Sequence, residues 1–495
     1  MKYVFTIFIL FTIGFYFLTP QTSTRKEAIH IITSYAKGQT NLEPTLQNYK
    51  DANISNITAD NIHKVNKKIL EMQSKEYHSP YRYNPTDDYQ YTFGNSKFTA
   101  ISINIKDSII DLRNLPIVKN HTIFLKIIIN SMELGEYFTP KVTLHYKNKI
   151  YQHVLEPGAK GIRYLNLSNL NLTQNTKIKL HGKHITIKDQ NATLVLFQNP
   201  KIKNKKILII APHPDDAEIA AYGLYSQYHN NVHIVTITAG DAGTDLKYNE
   251  VFNSTKEQYL AKGKQRVIDS ITVPLYGDIP PEHCINLGFF DGKLRDMSQN
   301  KLAELQSIYI KTADITTFRK YNVSTLATDL NGTSNWYSLV ENLSYLLEQI
   351  KPDIIVTPHH ALDKHSDHQY TSKAVYEALK KANIKKGLLF LYTNHANRSE
   401  YYPYGQVGDA ITLPPEMDSA IYFNSIYSHP LSKATQKNKI LVLEQMSDLR
   451  FTPEGSLFQS PCKDKLDLLC KDYSYLRRSV RSNELFFIID IKNIQ

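Results

Sequence analysis

The sequence predicts two folded regions of different class, an antiparallel β-sandwich domain followed by an α/β domain. From residue 92 to 198 apolar and polar residues alternate, as at Ile101, Ile103 and Ile105, which is the period of half-buried strands. After a Lys-rich linker at 201–206, apolar strands and helix-like stretches alternate instead. That order indicates right-handed βαβ units, so we expect a mainly parallel, Rossmann-like sheet in the second region.

The composition is that of a globular protein. The 495 residues are 42% hydrophobic and 21% charged, and 58 Lys and Arg against 47 Asp and Glu give a net charge of +11. Apolar residues interrupt the Lys runs and no aromatic residues interleave with them, so we expect no nucleic-acid partner and rather anionic surroundings such as polysaccharide or membrane. Three cysteines exclude a disulfide framework. Cys462 and Cys470 form a local pair for which a disulfide stays open, and Cys284 stands alone.

The first 24 residues predict export. Lys2 precedes an apolar run from Tyr3 to Leu18, and Pro20 and polar residues follow. This is the order of an export signal, and the run is shorter than the roughly twenty residues that span a bilayer comfortably. No A-x-A-like cleavage site follows Leu18, so a signal peptide and an uncleaved signal anchor both stay open. We expect an exported protein, periplasmic or secreted, with membrane association through this segment as the alternative to a cleaved leader.

A helical and irregular region, residues 25–91, comes next. Apolar residues recur there at helical spacing at Ile62, Val65, Ile69 and Met72. A stretch rich in Tyr and Pro then ends this pattern before the β-sandwich begins.

The β-sandwich is expected over residues 92–200. A β-branched run extends from Ile123 to Ile129, and a turn at residues 147–149 joins apolar alternation on both sides as a hairpin. Short strands with turn signals at this spacing are typical of an antiparallel sandwich. Such sandwiches often bind carbohydrate, but a structural spacer is an equal interpretation because fold alone does not establish function.

The α/β domain is expected over residues 205–450, with a C-terminal extension over 451–495. Its predicted strands are Ile207–Ala211, Val232–Thr238, Asp353–Thr357 and Leu388–Tyr392, and its predicted helices are Ala217–Tyr228 and Tyr370–Lys381. In sheets of this kind the ligand site lies outside the carboxyl ends of the strands. The extension holds one more strand-like run, Leu485–Ile491, to which the sequence assigns no partner.

Two clusters of His and Asp follow predicted strands of the α/β domain. Residues 212–218 (PHPDDAE) stand between a strand and a helix, and residues 359–368 (HHALDKHSDH) again precede a helix. Two His and one carboxylate with an open fourth position form the ligand set of a catalytic zinc centre, whereas structural sites take four ligands. We therefore expect one zinc site built from both clusters, with Fe²⁺, Co²⁺ or Ni²⁺ as alternatives for the same donor atoms.

These motifs resemble those of the PIG-L/LmbE family of zinc-dependent N-deacetylases. The His-Pro-Asp-Asp-x-Glu segment 213–218 and the His-x-Asp-His segment 365–368 carry the resemblance. Residues 236–243 (TITAGDAG) and 287–294 (LGFFDGKL) are similar to further family segments in the expected order. The resemblance covers roughly residues 205–450. Asp241 stands where the family more often has Glu, Ser366 where it often has Pro, and the stretch 295–345 is longer than in the minimal domain.

The resemblance implies a zinc ion held by His213, Asp216 and His368, with Asp215 as the general base. Amide hydrolysis needs a nucleophile at neutral pH, and zinc lowers the pKa of its water from about 15.7 to about 7. A carboxylate within hydrogen-bond reach takes the proton of the attacking water.

The resemblance also implies roles around the reacting amide. His365 would support the tetrahedral intermediate or protonate the leaving amine, and Asp367 would orient His365. Arg266 and Asp291 are expected to contact sugar hydroxyls or an anionic group, with plain structural use as an equal alternative.

We therefore expect an exported zinc-dependent N-deacetylase. Its expected partner is an acetylated amino-sugar glycan or glycoconjugate, of the GlcNAc type, in the cell envelope or outside the cell, and its product is acetate. A membrane-anchored de-N-acetylase of GlcNAc-phosphatidylinositol is an alternative, although the β domain speaks against it. A non-catalytic carbohydrate-binding protein is another, and the presence of Asp215 beside a full ligand set argues against it.

Overall fold

The structure is a computed structural model of the chain. It describes residues 24–55, 57–74, 85–89, 91, 97–112, 120–170, 172, 177–243, 248, 251–395, 408–414, 423–449 and 479–494. The predicted leader, the side chain of Met72 and the Cys462 and Cys470 pair lie outside the described residues. Within those ranges, no helix combines the length and the apolar composition that crossing a membrane requires.

Three helices form the N-terminal region. They are α1 (Arg25–Ala36), α2 (Leu46–Asp51) and α3 (Ile62–Ser74). A capping box starts α1, because the Thr24 hydroxyl accepts from the Glu27 N–H and the Glu27 carboxylate accepts from the Thr24 N–H. Val65 and Ile69 of α3 are buried in a small core that also contains Leu134 from the β domain. The helix predicted from residue 62 onward is confirmed.

The described residues of the β domain form nine antiparallel strands. They are β1 (Phe98–Lys106), β2 (Ile109–Asp111), β3 (His121–Ser131), β4 (Lys141–Tyr146), β5 (Lys149–Val154), β6 (Lys160–Asn166), β7 (Lys177–Lys183), β8 (Ile185–Thr186) and β9 (Gln190–Gln198). Their order is β5-β4-β7-β2-β1-β9-β3-β6, with β8 paired to β3. The predicted hairpin is confirmed as β4 and β5, joined by a turn at Lys147 and Asn148.

The expected sandwich of two sheets needs a correction, since hydrogen bonds join all nine strands into one sheet. The reason is the length of β1. Its residues 98–105 pair with β9, and its last two residues, Ile105 and Lys106, pair with β2. One strand thus connects what would otherwise be two layers around a shared apolar core.

The second domain contains a mixed seven-stranded sheet. Its strands are β10 (Ile207–Ala211), β11 (Val232–Thr238), β12 (Cys284–Phe289), β13 (Ile354–Pro358), β14 (Leu388–Tyr392), β15 (Ser425–Pro430) and β16 (Asn483–Asp490), and its helices are α4 (Asp216–Gln227), α5 (Thr255–Thr272), α6 (Leu294–Gln299), α7 (Thr316–Arg319), α8 (Trp336–Ile350), α9 (Ser366–Lys381) and α10 (Lys433–Gln445). The order is β12-β11-β10-β13-β14-β16-β15. The first five strands pair in parallel, while β16 is antiparallel to both of its neighbours.

The strand β16 contains most of the run Leu485–Ile491, for which the sequence left the partner unassigned. It lies between β14 and β15, with Leu389 opposite Ile489 and Ile426 opposite Phe487. The extension expected after residue 450 therefore includes a strand of the same sheet.

The two domains share an apolar interface. Phe124, Tyr164 and Phe197 of β3, β6 and β9 belong to the same buried cluster as the core of the mixed sheet. A polar contact adds to it, because the Asn166 side-chain amide donates to Ser428 Oγ on β15 at 2.9 Å. The β domain thus packs on the β15 side of the mixed sheet.

Candidate metal centre

Polar side chains gather at the carboxyl ends of the five parallel strands. They are His213, Asp215 and Asp216 after β10, Asp241 after β11, Asp291 after β12, Asp363, His365, Asp367 and His368 after β13, and Asn394 and His395 after β14. The two sequence clusters, about 150 residues apart along the chain, therefore meet at one edge of the sheet, as parallel strands require.

The three expected metal ligands converge. Asp216 Oδ2 lies 3.1 Å from His213 Nδ1 and 3.1 Å from His368 Nε2. His213, Asp216 and His368 are 7%, 2% and 0% exposed, respectively. Two helix starts bring them together: α4 begins at Asp216, and α9 begins at Ser366, four residues before the predicted start, so that His368 occupies its first turn.

The donor set fits a metal cation. His368 Nε2 is buried and, although Asp216 Oδ2 lies 3.1 Å away, no atom in the described part of the chain meets it with hydrogen-bond geometry. A buried polar atom without a well-formed hydrogen bond costs free energy. His365 and His395 also come close enough to join groups with His368 that could hold a metal ion. Imidazole nitrogens with carboxylate oxygens suit zinc and the neighbouring divalent metals.

The electrostatics of this cluster favour a positive charge. Burial alone lowers the pKa of His368, but the carboxylates of Asp216 and Asp363 outweigh it and raise that pKa to about 10. The same balance raises the pKa of His213 well above its usual value, chiefly through Asp291. Carboxylates that hold protons on buried imidazoles attract a metal cation to the same place.

A carboxylate supports each ligand histidine from behind. His213 Nε2 lies 3.2 Å from Asp291 Oδ1 and 3.4 Å from Asp367 Oδ2, and His368 Nδ1 lies 3.0 Å from Asp363 Oδ2. A metal-ligating His normally donates its other ring N–H to such a group, which fixes the tautomer and raises the basicity of the ligand nitrogen. The arrangement leaves His213 Nδ1 and His368 Nε2 as the nitrogens that face Asp216.

Two further residues, Asp363 and Asn394, complete the support, and the sequence analysis assigned them no role. Asp363 Oδ2 accepts from the backbone N–H of Asn394 at 2.9 Å, and the Asn394 side chain donates to Asp216 Oδ1 at 2.7 Å. The hydrogen bond from Asn394 thereby fixes Oδ1 of Asp216, while Oδ2 faces His213 and His368. The signal in the sequence was the short polar stretch that follows the apolar strand β14.

The part of the sequence that forms this centre matches a known protein family. Residues 208–379 match the family model described as PIG-L: GlcNAc-PI de-N-acetylase. The chain carries a PIG-L domain. The match confirms the resemblance seen in the sequence and the enzyme class, a hydrolytic N-deacetylase. No curated protein sequence matches the chain.

Solved structures similar to the chain include three proteins of low sequence identity. The antimicrobial reagent A40926 pseudoaglycone deacetylase is 16% identical, covers 58% of this chain and 98% of its own, and has a TM-score of 0.32. N,N'-diacetylchitobiose deacetylase from Pyrococcus horikoshii is 17% identical, with 58% and 84% covered and a TM-score of 0.31. A conserved protein from Thermus thermophilus is 18% identical, with 52% and 84% covered and a TM-score of 0.28.

The expected base of the PIG-L domain, Asp215, is held by Arg266. The Arg266 Nη2 atom lies 3.3 Å from Asp215 Oδ2 and donates to the Pro214 carbonyl at 3.3 Å. Gly240, with φ +63°, makes room for this side chain, because a Cβ there would lie 2.6 Å from Arg266 Nε. The structure thus places Arg266 against Asp215, and the expected contact of Arg266 with substrate stays a prediction.

His365 lies in the middle of the histidine cluster. Its ring centroid is 4.8 Å from that of His213 and 5.0 Å from that of His368, and its Nδ1 atom is buried without a hydrogen-bond partner among the residues described. Burial lowers the pKa of His365 to about 3, and the positive charge of His213 adds to the effect. The imidazole is therefore neutral at pH 7.

One expected contact in the PIG-L domain needs correction, that of Asp367 with His365. Asp367 does not reach His365; its Oδ2 accepts from the Gly292 N–H at 2.7 Å and lies against His213. The reason is geometric, since residues two apart at the start of α9 do not face each other. Asp291 lies against His213, which holds the pKa of Asp291 well below its usual range although burial opposes this. The expected contact of Asp291 with substrate stays a prediction.

Proposed function

We propose that this protein is an exported, zinc-dependent N-deacetylase that removes the acetyl group from an acetylated amino sugar of the GlcNAc type in a cell-envelope or extracellular glycan. The convergence of His213, Asp216 and His368 beside Asp215 within a PIG-L domain carries the proposal. The sugar is suggested by the description of the matching family, and export by the apolar N-terminal run.

His213, Asp216 and His368 would hold the metal. When bound, zinc supplies Lewis-acid polarisation of the amide carbonyl and a water of lowered pKa. The chain itself contributes the fixed orientation of the ligands. Asp363 and Asn394 keep the donor atoms in place before the metal arrives, because they bind the sides of His368 and Asp216 that face away from the centre.

Asp215 acts as the general base in this proposal. Its side chain is 13% exposed, so it can reach a water molecule at the mouth of the centre. Arg266 fixes the orientation of its carboxylate through the 3.3 Å contact with Oδ2. A positioned base of this kind contributes about 10²-fold to 10⁴-fold to the rate.

His365 acts on the oxygen of the amide, and Asp215 supplies the proton to its nitrogen. In its neutral form one ring N–H donates a hydrogen bond to the oxygen that becomes negative in the transition state. The proton that Asp215 takes from water is then available to the leaving amine, which departs as acetate is released. Attack by the water, collapse of the tetrahedral intermediate and proton transfer to the amine thus use Asp215 as the base and the neutral imidazole of His365.

A second candidate is the de-N-acetylation of GlcNAc-phosphatidylinositol, which the description of the matching family favours. The nine-stranded β domain packed on the PIG-L domain favours a larger glycan. The two candidates differ in substrate and share the chemistry.

The test is acetate release by the purified chain with zinc. The substrates are chitin oligomers, acetylated peptidoglycan fragments and GlcNAc-phosphatidylinositol. Asp215→Asn is expected to lower kcat by about 10²-fold or more with zinc affinity unchanged, whereas the exposed Asp60→Asn serves as a control with wild-type rates. Zinc binding without turnover of any of the three would refute the substrate proposal, and absence of zinc binding would refute the ligand assignment.

A further inference from the structure

The positive charge of the protein is concentrated in the β domain. Residues 97–198 contain 14 Lys and Arg against 6 Asp and Glu, which gives +8 of the net +11 of the whole chain. One fifth of the sequence therefore holds most of the excess. Such a local field attracts anions to one surface rather than to the molecule as a whole.

Four lysines and two histidines form a ladder on the outer face of two neighbouring strands. The core-facing residues of β7 are Ile178 and Leu180, so the alternate side chains point away from the core. On β4, the partners of these outward positions also point away. The basic ladder consists of Lys177, Lys179, His181 and Lys183 on β7 and of Lys141 and His145 on β4. Lys141 is buried at one end of the ladder, and the other five residues are exposed or half-buried.

The ladder opposes like charges. Lys141 lies directly across from Lys183, a pairing of like charges that costs stability in a strand pair, and His145 lies across from Lys179. None of the six side chains makes an ion pair with a carboxylate in the part of the chain that the structure describes. Two carboxylates border this face in the described residues: Asp111 of β2 lies opposite Lys177, and Asp409 accepts a hydrogen bond from Gln152 of β5 at 3.1 Å. The lysine charges of the ladder are therefore available to bind an anionic ligand.

We propose that the basic ladder binds a glycan chain that carries phosphate groups along its backbone. Alternate residues of a strand are about 6.6 Å apart, so the four positions on β7 form a track of about 20 Å. A polymer lying along β7 meets a cation or a histidine at each step. Lys binds phosphate as a compact point charge, and a phosphodiester backbone presents one negative charge at each repeat, which matches single cations spaced along a strand.

The shape of the ladder favours a linear polymer over a membrane. It is two strands wide, and β5 continues the same face with the uncharged Ile150 and Gln152, which pair with His145 and Thr143 of β4. A bilayer would call for charge over a broad face. None of the six ladder residues is Phe, Tyr or Trp, the large rings on which nucleic-acid bases stack best, and Tyr146 of β4 is buried in the core of the domain.

Binding of poly(glycerol phosphate) by the full chain tests the proposal. The variant replaces Lys177, Lys179 and Lys183 by Gln, and the control replaces the exposed Lys26, Lys50 and Lys64 of the N-terminal helices. Both lose three charges. We expect the ladder variant to bind roughly tenfold more weakly at low salt and the control to bind like the parent. The thermal midpoint of the ladder variant should not fall, because relief of the opposition between Lys141 and Lys183 favours the folded state.

Polygalacturonate, anionic phospholipid vesicles and single-stranded DNA serve as competing probes. Equal weakening in both triple variants would overturn the proposal, as would tighter ladder-dependent binding to any of these three probes than to poly(glycerol phosphate). If the triple variant does not fold, the single charge reversal Lys179→Glu at an exposed position gives the same comparison. Unchanged binding of that folded variant would equally overturn the proposal.

Discussion

Low pH should lower the stability of the β domain through one buried histidine, His153 of β5. Its side chain is fully buried, and its Nε2 atom accepts from the backbone N–H of Asn166 at 2.9 Å. The Asn166 side chain in turn reaches Ser428 of the other domain. Protonation of Nε2 would remove this acceptor and place an unpaired charge in the domain interior. Burial accordingly lowers the pKa of His153 from 6.5 to about 4.

The size of the effect follows from the two pKa values. A histidine whose pKa is lower in the folded state stabilises the fold fully above the unfolded pKa, and this stability is lost as the pH falls toward the folded pKa. For values of 6.5 and about 4, the loss between pH 7 and pH 5 is about 2 kcal/mol. The loss would level off only below pH 4.

The assay is urea unfolding at pH 7 and pH 5, with circular dichroism as the signal. His153→Gln keeps an acceptor near the position of Nε2 and cannot be protonated, so its free energy of unfolding should fall by about 2 kcal/mol less than that of the parent. His145→Gln, at an exposed position on the neighbouring strand, controls for the loss of a histidine. Equal pH dependence of the parent and His153→Gln would refute the reasoning.

Three further substitutions test the supporting contacts. Asp363→Asn should weaken zinc binding by about 10-fold to 100-fold, measured by competition with a chelator, and unchanged affinity would contradict its role behind His368. Arg266→Gln should lower kcat roughly tenfold with unchanged zinc affinity, since it contacts the base rather than the ligands, and loss of zinc would show a different role. Lys439→Met should cost about 3–5 kcal/mol in urea unfolding, because Lys439 is paired at 2.8 Å with the buried Glu484, and the double variant with Glu484→Gln should recover part of that loss.

The sequence was most informative where strands are buried on both faces. The apolar runs of β10, β11 and β14 match the predicted strands residue for residue, because parallel strands covered by helices need continuous apolar side chains. Their abrupt polar ends then marked the edge where the centre lies. The ligand trio came from the resemblance and from the preference of zinc for such donors, and the structure brings its members together.

The carboxylates behind the ligands were beyond the reach of sequence patterns. Asp291 and Asp367 both meet His213, although 76 residues separate them along the chain. Which carboxylate meets which imidazole depends on the direction in which two loops leave the sheet, and residue spacing within one motif does not contain that direction. For the same reason the alternation in β1 showed a strand without showing that it pairs on both sides with different partners.

The position of β16 has a consequence for the order in which the protein can mature during synthesis. Because β16 pairs with β14, nearly a hundred residues later in the chain, the edge of β14 lacks its hydrogen-bond partner while the ribosome makes the intervening segment. Asn394, whose side chain donates a hydrogen bond to Asp216, lies just after β14. The expected ligand residues are therefore all synthesised before β16, and pairing of β14 with β16 completes the sheet beside them only afterwards.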